Sequence, residues 1–318
     1  MTVAILQAVD LKKYFRVGKN KLLHAVDGVS LDIAAGGTLG VVGESGCGKS
    51  TLGRLLMGLL PATSGQIFYD GVDLLHCSRA ELAERRRKMQ IIFQDPYSSL
   101  DPRMSVFELI SEPLVMNRAC KNRKEQFLRV LELMEVVGLA ERFINSYPHE
   151  MDGGRRQRIG VARALALKPQ FIVCDEPVSA LDVSIQAQIL NLLMDMQDEM
   201  NLTYMFITHD LSVVKHISDE IMVMYLGQCV EKAPSKELFR NPLHPYTQAL
   251  LSAIPQPVLG KLRRDTLLRG EVSDPIDPEP GCRFVKRCNA AKPECTGRDI
   301  ELRERGAGHF VACVLHGS

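Results

Sequence analysis

Tryptophan is missing from this chain of 318 residues, so its intrinsic tryptophan fluorescence is silent. Long apolar runs are missing too. No stretch approaches the roughly 20 residues that cross a bilayer, which argues against a membrane-spanning helix. Charge of one sign is not in excess: 39 Lys and Arg stand against 38 Asp and Glu, a formal net charge of +1. Nothing in that balance calls for a polyanionic partner such as nucleic acid. The start, Met1-Thr2-Val3-Ala4-Ile5-Leu6, has neither a basic n-region nor a cleavage site, so no signal peptide is expected. Internal repeats and low-complexity tracts are also lacking. What is left is ordinary globular composition, 46% hydrophobic and 24% charged, with length for one large domain and a smaller one.

The stretch that organises the chain is Gly43-Glu44-Ser45-Gly46-Cys47-Gly48-Lys49-Ser50-Thr51. It has the spacing Gly, four residues, Gly-Lys-Ser/Thr. The apolar run Thr38-Leu39-Gly40-Val41-Val42 before it reads as a buried strand, and Leu52 to Met57 after it as the start of a helix. Glycines let the backbone wrap a phosphate chain with its N–H groups inward, and the helix N-terminus adds partial positive charge. Lys49 can reach the β and γ phosphates, and the Ser50 hydroxyl can ligate Mg²⁺. Such a loop, beside free-looking cysteines, fits a reducing cytoplasm.

Along the chain, residues 3–11 and 29–33 alternate apolar and polar and read as antiparallel strands. Tyr14-Phe15 lies between them, a stacking platform for a base or a plain core or surface aromatic pair. Further strands are read at 65–71, 91–93, 204–207, 221–224 and 227–230, and helices at 79–89, within 105–145, at 183–200 and from Leu211. Phe171-Ile172-Val173-Cys174-Asp175 is wholly apolar up to its aspartate, as in a parallel sheet covered on both faces. The alternation of strands and helices argues an α/β fold with a mainly parallel sheet. From about Arg240 the texture changes. Pro242, Pro245, Pro255, Pro257, Pro275, Pro278 and Pro280 crowd the sequence, which argues against regular core elements there and sets a domain boundary: 1–240 and 241–318.

A strand-end aspartate can hold Mg²⁺ through water, and Asp175 is so placed; the next residue, Glu176, can polarise an attacking water. His209 ends the following strand and can sense a γ-phosphate. In order and spacing, Gly43 to Thr51, Gln94, Met151-Asp152-Gly153-Gly154-Arg155, Asp175-Glu176, Ser179-Ala180-Leu181-Asp182 and His209 resemble the ATP-binding cassette ATPases. The resemblance covers about residues 3–235. It implies a P-loop cassette with an antiparallel β subdomain and a helical signature subdomain. These motifs then correspond to the Walker A loop, Q-loop, signature, Walker B with catalytic glutamate, D-loop and switch histidine. Gln94 would share in Mg²⁺ binding and Phe15 in ATP binding. The family works as a head-to-tail dimer in which one subunit's Walker motifs meet the other's signature. Phe93-Gln94-Asp95-Pro96-Tyr97-Ser98-Ser99-Leu100-Asp101-Pro102-Arg103 and Asn241-Pro242-Leu243-His244-Pro245-Tyr246-Thr247 resemble the dipeptide, oligopeptide and nickel importer ATPases.

The signature departs from the family's usual Leu-Ser-Gly-Gly-Gln: Asp152 replaces the serine and Arg155 the glutamine. An ionised aspartate cannot donate to a γ-phosphate and repels it. It also caps a helix as well as serine does, and Arg155 and Arg156 can offset its charge.

Of nine cysteines, Cys47, Cys77, Cys120, Cys174 and Cys229 are scattered and read as small apolar fillers. Cys282, Cys288, Cys295 and Cys313 are clustered; four thiolates can hold Zn²⁺ or an iron–sulfur cluster, and the spacing does not choose. The resemblance implies a [4Fe–4S] cluster, with Zn²⁺ second and buried free thiols as the bland alternative.

The sequence thus points to an ATPase powering import of dipeptides or oligopeptides, with nickel or a metal chelate as the alternative cargo. A soluble cassette ATPase acting on nucleic acid or ribosomes is the rival of another class, and a purely metal-sensing module would not need both Walker motifs. Expected partners are a second ATPase, two membrane permease subunits and an extracytoplasmic solute-binding protein, with the chain peripheral at the cytoplasmic face of the membrane.

Overall fold

A computed structural model describes residues 4–95, 97–253 and 274–316. Val3, Pro96, Pro255 and Pro257 from the sequence reading lie outside the described residues. The chain divides into a first unit, Met1–His76 with Phe206–Ser318, and a second, Cys77–Met205.

The first unit opens with a hairpin of β1 (Ala4–Val17) and β2 (Lys21–Ala34), followed by β3 (Thr38–Val42) and α1 (Lys49–Leu56). Then come β4 (Ser64–Tyr69) and β5 (Val72–Asp73), which complete an antiparallel sheet in the order β2-β1-β4-β5. The hairpin strands run well beyond residues 3–11 and 29–33. Tyr14 and Phe15 belong to β1, opposite His24 and Leu23 in the ladder. Register shifts after Ala8, Leu11 and Lys13 break the alternation, so the pattern that marks a strand stops before the strand does.

The second unit carries α2 (Arg79–Lys88), β6 (Met89–Ile92), α3 (Val106–Met116), α4 (Arg123–Val136), α5 (Gly153–Leu165), β7 (Phe171–Asp175) and α6 (Val183–Met200). Here β6 and β7 pair in parallel, and every residue of β7 is buried. The helices start where side-chain oxygens can cap them: Ser78, Ser105, Asn122, Asp152 and Asp182 each accept a backbone N–H.

The strand β8 (Thr203–Thr208) takes the chain out of the second unit and into the first. After α7 (Leu211–Ile217), β9 (Glu220–Tyr225) pairs in parallel with β3 and antiparallel with β10 (Gln228–Pro234). Two short helices follow, α8 (Ser235–Arg240) and α9 (Pro245–Ser252). The expectation that proline excludes regular elements fails at α9. Pro245 occupies its first turn, where a missing N–H costs nothing, and His244 caps it through Nδ1, which accepts from Tyr246 N at 3.1 Å. Near the end, β11 (Arg303–Glu304) and β12 (Phe310–Val311) extend the sheet antiparallel from β10.

Buried Glu231 on β10 ties these last segments down. Its carboxylate accepts from Leu243 N at 2.7 Å and His244 N at 2.9 Å, and His309 Nε2 meets it at 2.7 Å. Removing a fully buried carboxylate partner strands three donors, so Glu231→Ala is expected to destabilise the chain by about 3–5 kcal/mol in urea unfolding. A loss below about 1 kcal/mol would mean that the cluster holds nothing together. His244 is also buried, and desolvation pushes its pKa down to about 3. It is neutral when folded and charges when unfolded below its ordinary value of 6.5. Stability therefore falls as pH drops from about 6.5 towards 3, and His244→Asn, which keeps an acceptor for Tyr246 N, should flatten that part of the pH–stability curve.

Candidate functional site

The loop between β3 and α1 is built from positions that tolerate no side chain. Gly43 has φ 154° and Gly48 φ 102°, and a Cβ at either would run into backbone carbonyl oxygens, those of Met224 and Ala25 respectively. Lys49 is only 5% exposed; its Nζ donates to the Gly43 carbonyl at 2.7 Å and the Glu44 carbonyl at 3.0 Å. Cys47 is buried, and burial pushes its thiol up against the opposing influence of Lys49, as befits a filler. Ser45 and Gly46 are exposed, while Ser50 and Thr51 sit half-buried on the first turn of α1. No side chain caps α1, and its first turn holds no acidic residue. A glycine cradle that a Cβ would fill, opening onto an uncapped helix N-terminus with a buried lysine across it, fits a phosphate chain.

On the hairpin of the same unit, Tyr14 stacks on His24 with ring centroids 3.9 Å apart, and its hydroxyl donates to Asp27 at 2.5 Å. Burial pushes the Tyr14 hydroxyl up, and the bond to Asp27 adds to it. Phe15 is half-buried under the Lys13 ammonium, 5.0 Å from the ring centroid. His209, also in this unit, is exposed just after β8.

In the second unit, Asp175 ends β7 and is 3% exposed. Glu176 follows at φ 47°, a left-handed backbone that a non-glycine residue adopts at a cost of order 1–3 kcal/mol. That turn sets its carboxylate against Gln94, whose Nε2 donates to Oε2 at 2.9 Å. The Glu176 carbonyl accepts from Ser179 Oγ at 3.1 Å. Ala180 is exposed and Leu181 half-buried, and Asp182 caps α6 through Ile185 N at 3.1 Å.

Met151 is buried, and Asp152 caps α5: its Oδ1 accepts from Arg155 N at 2.8 Å, and its Oδ2 pairs with Arg155 Nη1 at 2.8 Å. Arg155 also lies over the Phe143 ring, 4.8 Å from its centroid. Both roles foreseen for these residues, cap and charge offset, are present together. Gly153 and Gly154 have a packing reason as well, since a Cβ there would press on Leu181 and Ile185.

The four terminal cysteines are free and, with His244 and Phe284, line one enclosed apolar cavity of about 10 Å³. Among the described residues, no group of three or more His, Cys, Asp or Glu is arranged to hold a metal ion, so neither a [4Fe–4S] cluster nor Zn²⁺ at Cys282, Cys288, Cys295 and Cys313 is supported. Burial pushes the Cys282 thiol up to about 12 and raises Cys288 and Cys313.

Sequence reasoning gave no site role to Arg287 or Tyr246, which touch the loop between β3 and α1. Both terminal guanidinium nitrogens of Arg287, Nη1 and Nη2, donate to the Glu44 carboxylate, at 2.6 and 3.0 Å, and Glu44 N donates to Tyr246 Oη at 2.9 Å. Glu44 and Arg287 are 243 positions apart, and no local pattern links them.

Comparison with known proteins agrees with this geometry. The family model for ABC transporter matches residues 26–179, and that for the oligopeptide/dipeptide transporter C-terminal region matches residues 230–295. The putative oligopeptide transport ATP-binding protein YkfD of Bacillus subtilis is 53% identical over 314 residues, 98% of this chain and 95% of the relative. The dipeptide transport ATP-binding protein DppF of Escherichia coli is 49% identical over 314 residues, 97% of this chain and 93% of the relative. Among solved structures, the ATP-binding cassette MJ0796, in a dimeric post-hydrolysis state bound to ADP and Pi, is 29% identical with a TM-score of 0.67, covering 72% of this chain and 98% of that one. With full-length relatives at this identity and both family models in sequence order, the chain belongs to the ABC transporter family, as an ATPase with the C-terminal region of the oligopeptide/dipeptide transporters.

Proposed function

We propose that this chain hydrolyses ATP to drive uptake of dipeptides or oligopeptides, working at the cytoplasmic face of the membrane with a second ATPase, two permease subunits and an extracytoplasmic solute-binding protein. The observation that carries the reading is the phosphate cradle: two glycines closed in by carbonyl oxygens, Lys49 across them, and an uncapped α1 behind. The printed names of the relatives, peptide transport ATP-binding proteins, support the cargo. Within the chain, residues 1–240 form the cassette and 241–318 the extension.

In this reading the loop N–H groups and Lys49 bind the phosphates, and Phe15 lies against the base. Ser50, Gln94 and Asp175 would hold Mg²⁺, which would supply charge neutralisation on the phosphates. Glu176 takes a proton from the attacking water, and its left-handed backbone and the Gln94 bond fix where that carboxylate points. His209 senses the γ-phosphate. A groove of about 370 Å³ in the second unit, lined by Arg86, Phe93, Leu100, Glu112, Met116 and Arg163, supports docking of a permease segment, because Met116 is 78% and Phe93 39% exposed there. When the chain is co-expressed with its candidate partners and reconstituted in vesicles, ATP hydrolysis should depend on Lys49 and rise with peptide and binding protein. Hydrolysis that ignores both additions would overturn the importer reading.

Asp152 makes the two ATP sites of such a pair unequal. Its carboxylate is committed to capping α5 and to Arg155, and it offers no donor to a phosphate bound on the partner. A lost charge-assisted hydrogen bond is worth about 1.5–3 kcal/mol, roughly tenfold to over a hundredfold in rate if only the transition state feels it. Glu176→Gln should therefore remove most turnover of the assembled complex, and the matching change in the partner much less. Asp152→Ser with Arg155→Gln keeps a helix cap and should raise phosphate release. Equal losses from the two glutamate variants, with no gain from the restored signature, would leave Asp152 as a cap alone.

A further inference from the structure

Resting on the phosphate-binding reading of the loop, we propose that Arg287 is a positioning residue for ATP: through Glu44 it sets the shape of the phosphate loop, so the C-terminal region tunes nucleotide affinity. Glu44 is the first residue after Gly43, and its polar groups are all engaged. The carbonyl accepts from Lys49 Nζ at 3.0 Å and from Cys47 N at 3.3 Å, so it takes part in the loop's own closure. Its N–H goes to Tyr246 Oη at 2.9 Å, and both carboxylate oxygens go to Arg287 at 2.6 and 3.0 Å. Two of the three anchors of this residue come from beyond position 240.

Arg287 is itself fixed. Its side chain is 8% exposed, and its guanidinium faces the rings of Tyr225 and Phe284, 5.8 and 6.0 Å from their centroids. Tyr225, Tyr246 and Phe284 form one aromatic cluster with centroids 4.6–5.4 Å apart. The turn Val285–Arg287 lies between Cys282 and Cys288, so the residues that line the thiol cavity also carry the arginine that grips the loop. Four residues earlier, Arg283 reaches Asp27 and the Leu226 carbonyl, and Asp27 holds the Tyr14 hydroxyl on the hairpin. One short segment thus braces the loop and the hairpin aromatics at once. A planar, two-pronged donor fits this duty better than lysine would.

In the full-length chain, Arg287→Ala should weaken MgATP binding about tenfold by calorimetry, and Arg287→Lys should recover part of it. Glu44→Ala should cost about the same, and the double variant no more than either single one, because one interaction is removed twice. In ATPase assays the loss should appear in KM, with kcat changed far less. A folded Arg287→Ala protein, with its nucleotide-free melting temperature intact, that binds MgATP within about twofold of wild type would overturn the proposal, as would additive losses in the double variant. If Arg287→Ala does not fold, the same comparison with Arg287→Lys and Glu44→Gln decides. Lys49→Ala tests the underlying reading separately: unchanged MgATP affinity there would mean that the loop does not bind phosphate, whatever Arg287 does.

Discussion

The loop between β3 and α1 cannot hold its own shape, because a glycine-rich turn has more backbone freedom than any conformation it must keep. It is held from outside by backbone. The Cys47 carbonyl accepts from Gly227 N at 2.9 Å, the Met224 carbonyl stands where a side chain on residue 43 would go, and the Ala25 carbonyl does the same at residue 48. The turn between β9 and β10 and the far strand of the hairpin thus close on a loop contributed by the start of the chain. Everything asked of Lys49 and Ser50 depends on that closure.

Carboxylates, Glu231 buried and Glu44 and Asp27 half-buried, connect the later chain to the earlier one. Glu231 gathers residues 243, 244 and 309; Glu44 receives Arg287; Asp27 receives Arg283, Tyr14 and His24. Burial alone would raise the Asp27 carboxyl, yet its hydrogen bonds and the Arg283 charge hold it below the usual range. Each such group is costly to desolvate, so it persists only with all its partners in place, which makes the junction specific rather than merely sticky. The alternative, an apolar seam, would bury area without dictating where the segment around residue 287 must sit. The four cysteines and Phe284 line one cavity within this junction.

Asp152 satisfies local structure with a side chain that has no donor of its own to offer. As a cap it is as good as the serine it replaces, so the helix gives no sign that anything is altered. Only the loss of a donor, and the pairing of its second oxygen with Arg155, distinguish it.

Much of this was determined by the sequence alone. The run at 171–175, apolar up to its aspartate, became a buried strand with those bounds, Asp182 set the start of α6, and the residues from Gly43 to Ser50 formed a glycine loop between a strand and a helix, because short-range patterning and capping act over a few residues. What the sequence could not disclose was decided by contacts far apart in the chain. Bulges hid the length of the hairpin, a histidine cap and a proline in the first turn gave a proline-rich stretch its helix, and the four clustered cysteines came together around one small apolar cavity. The grip of Arg287 on Glu44 left no local trace, since a pair of charges 243 residues apart becomes an interaction only once the strands between them have brought both to one place.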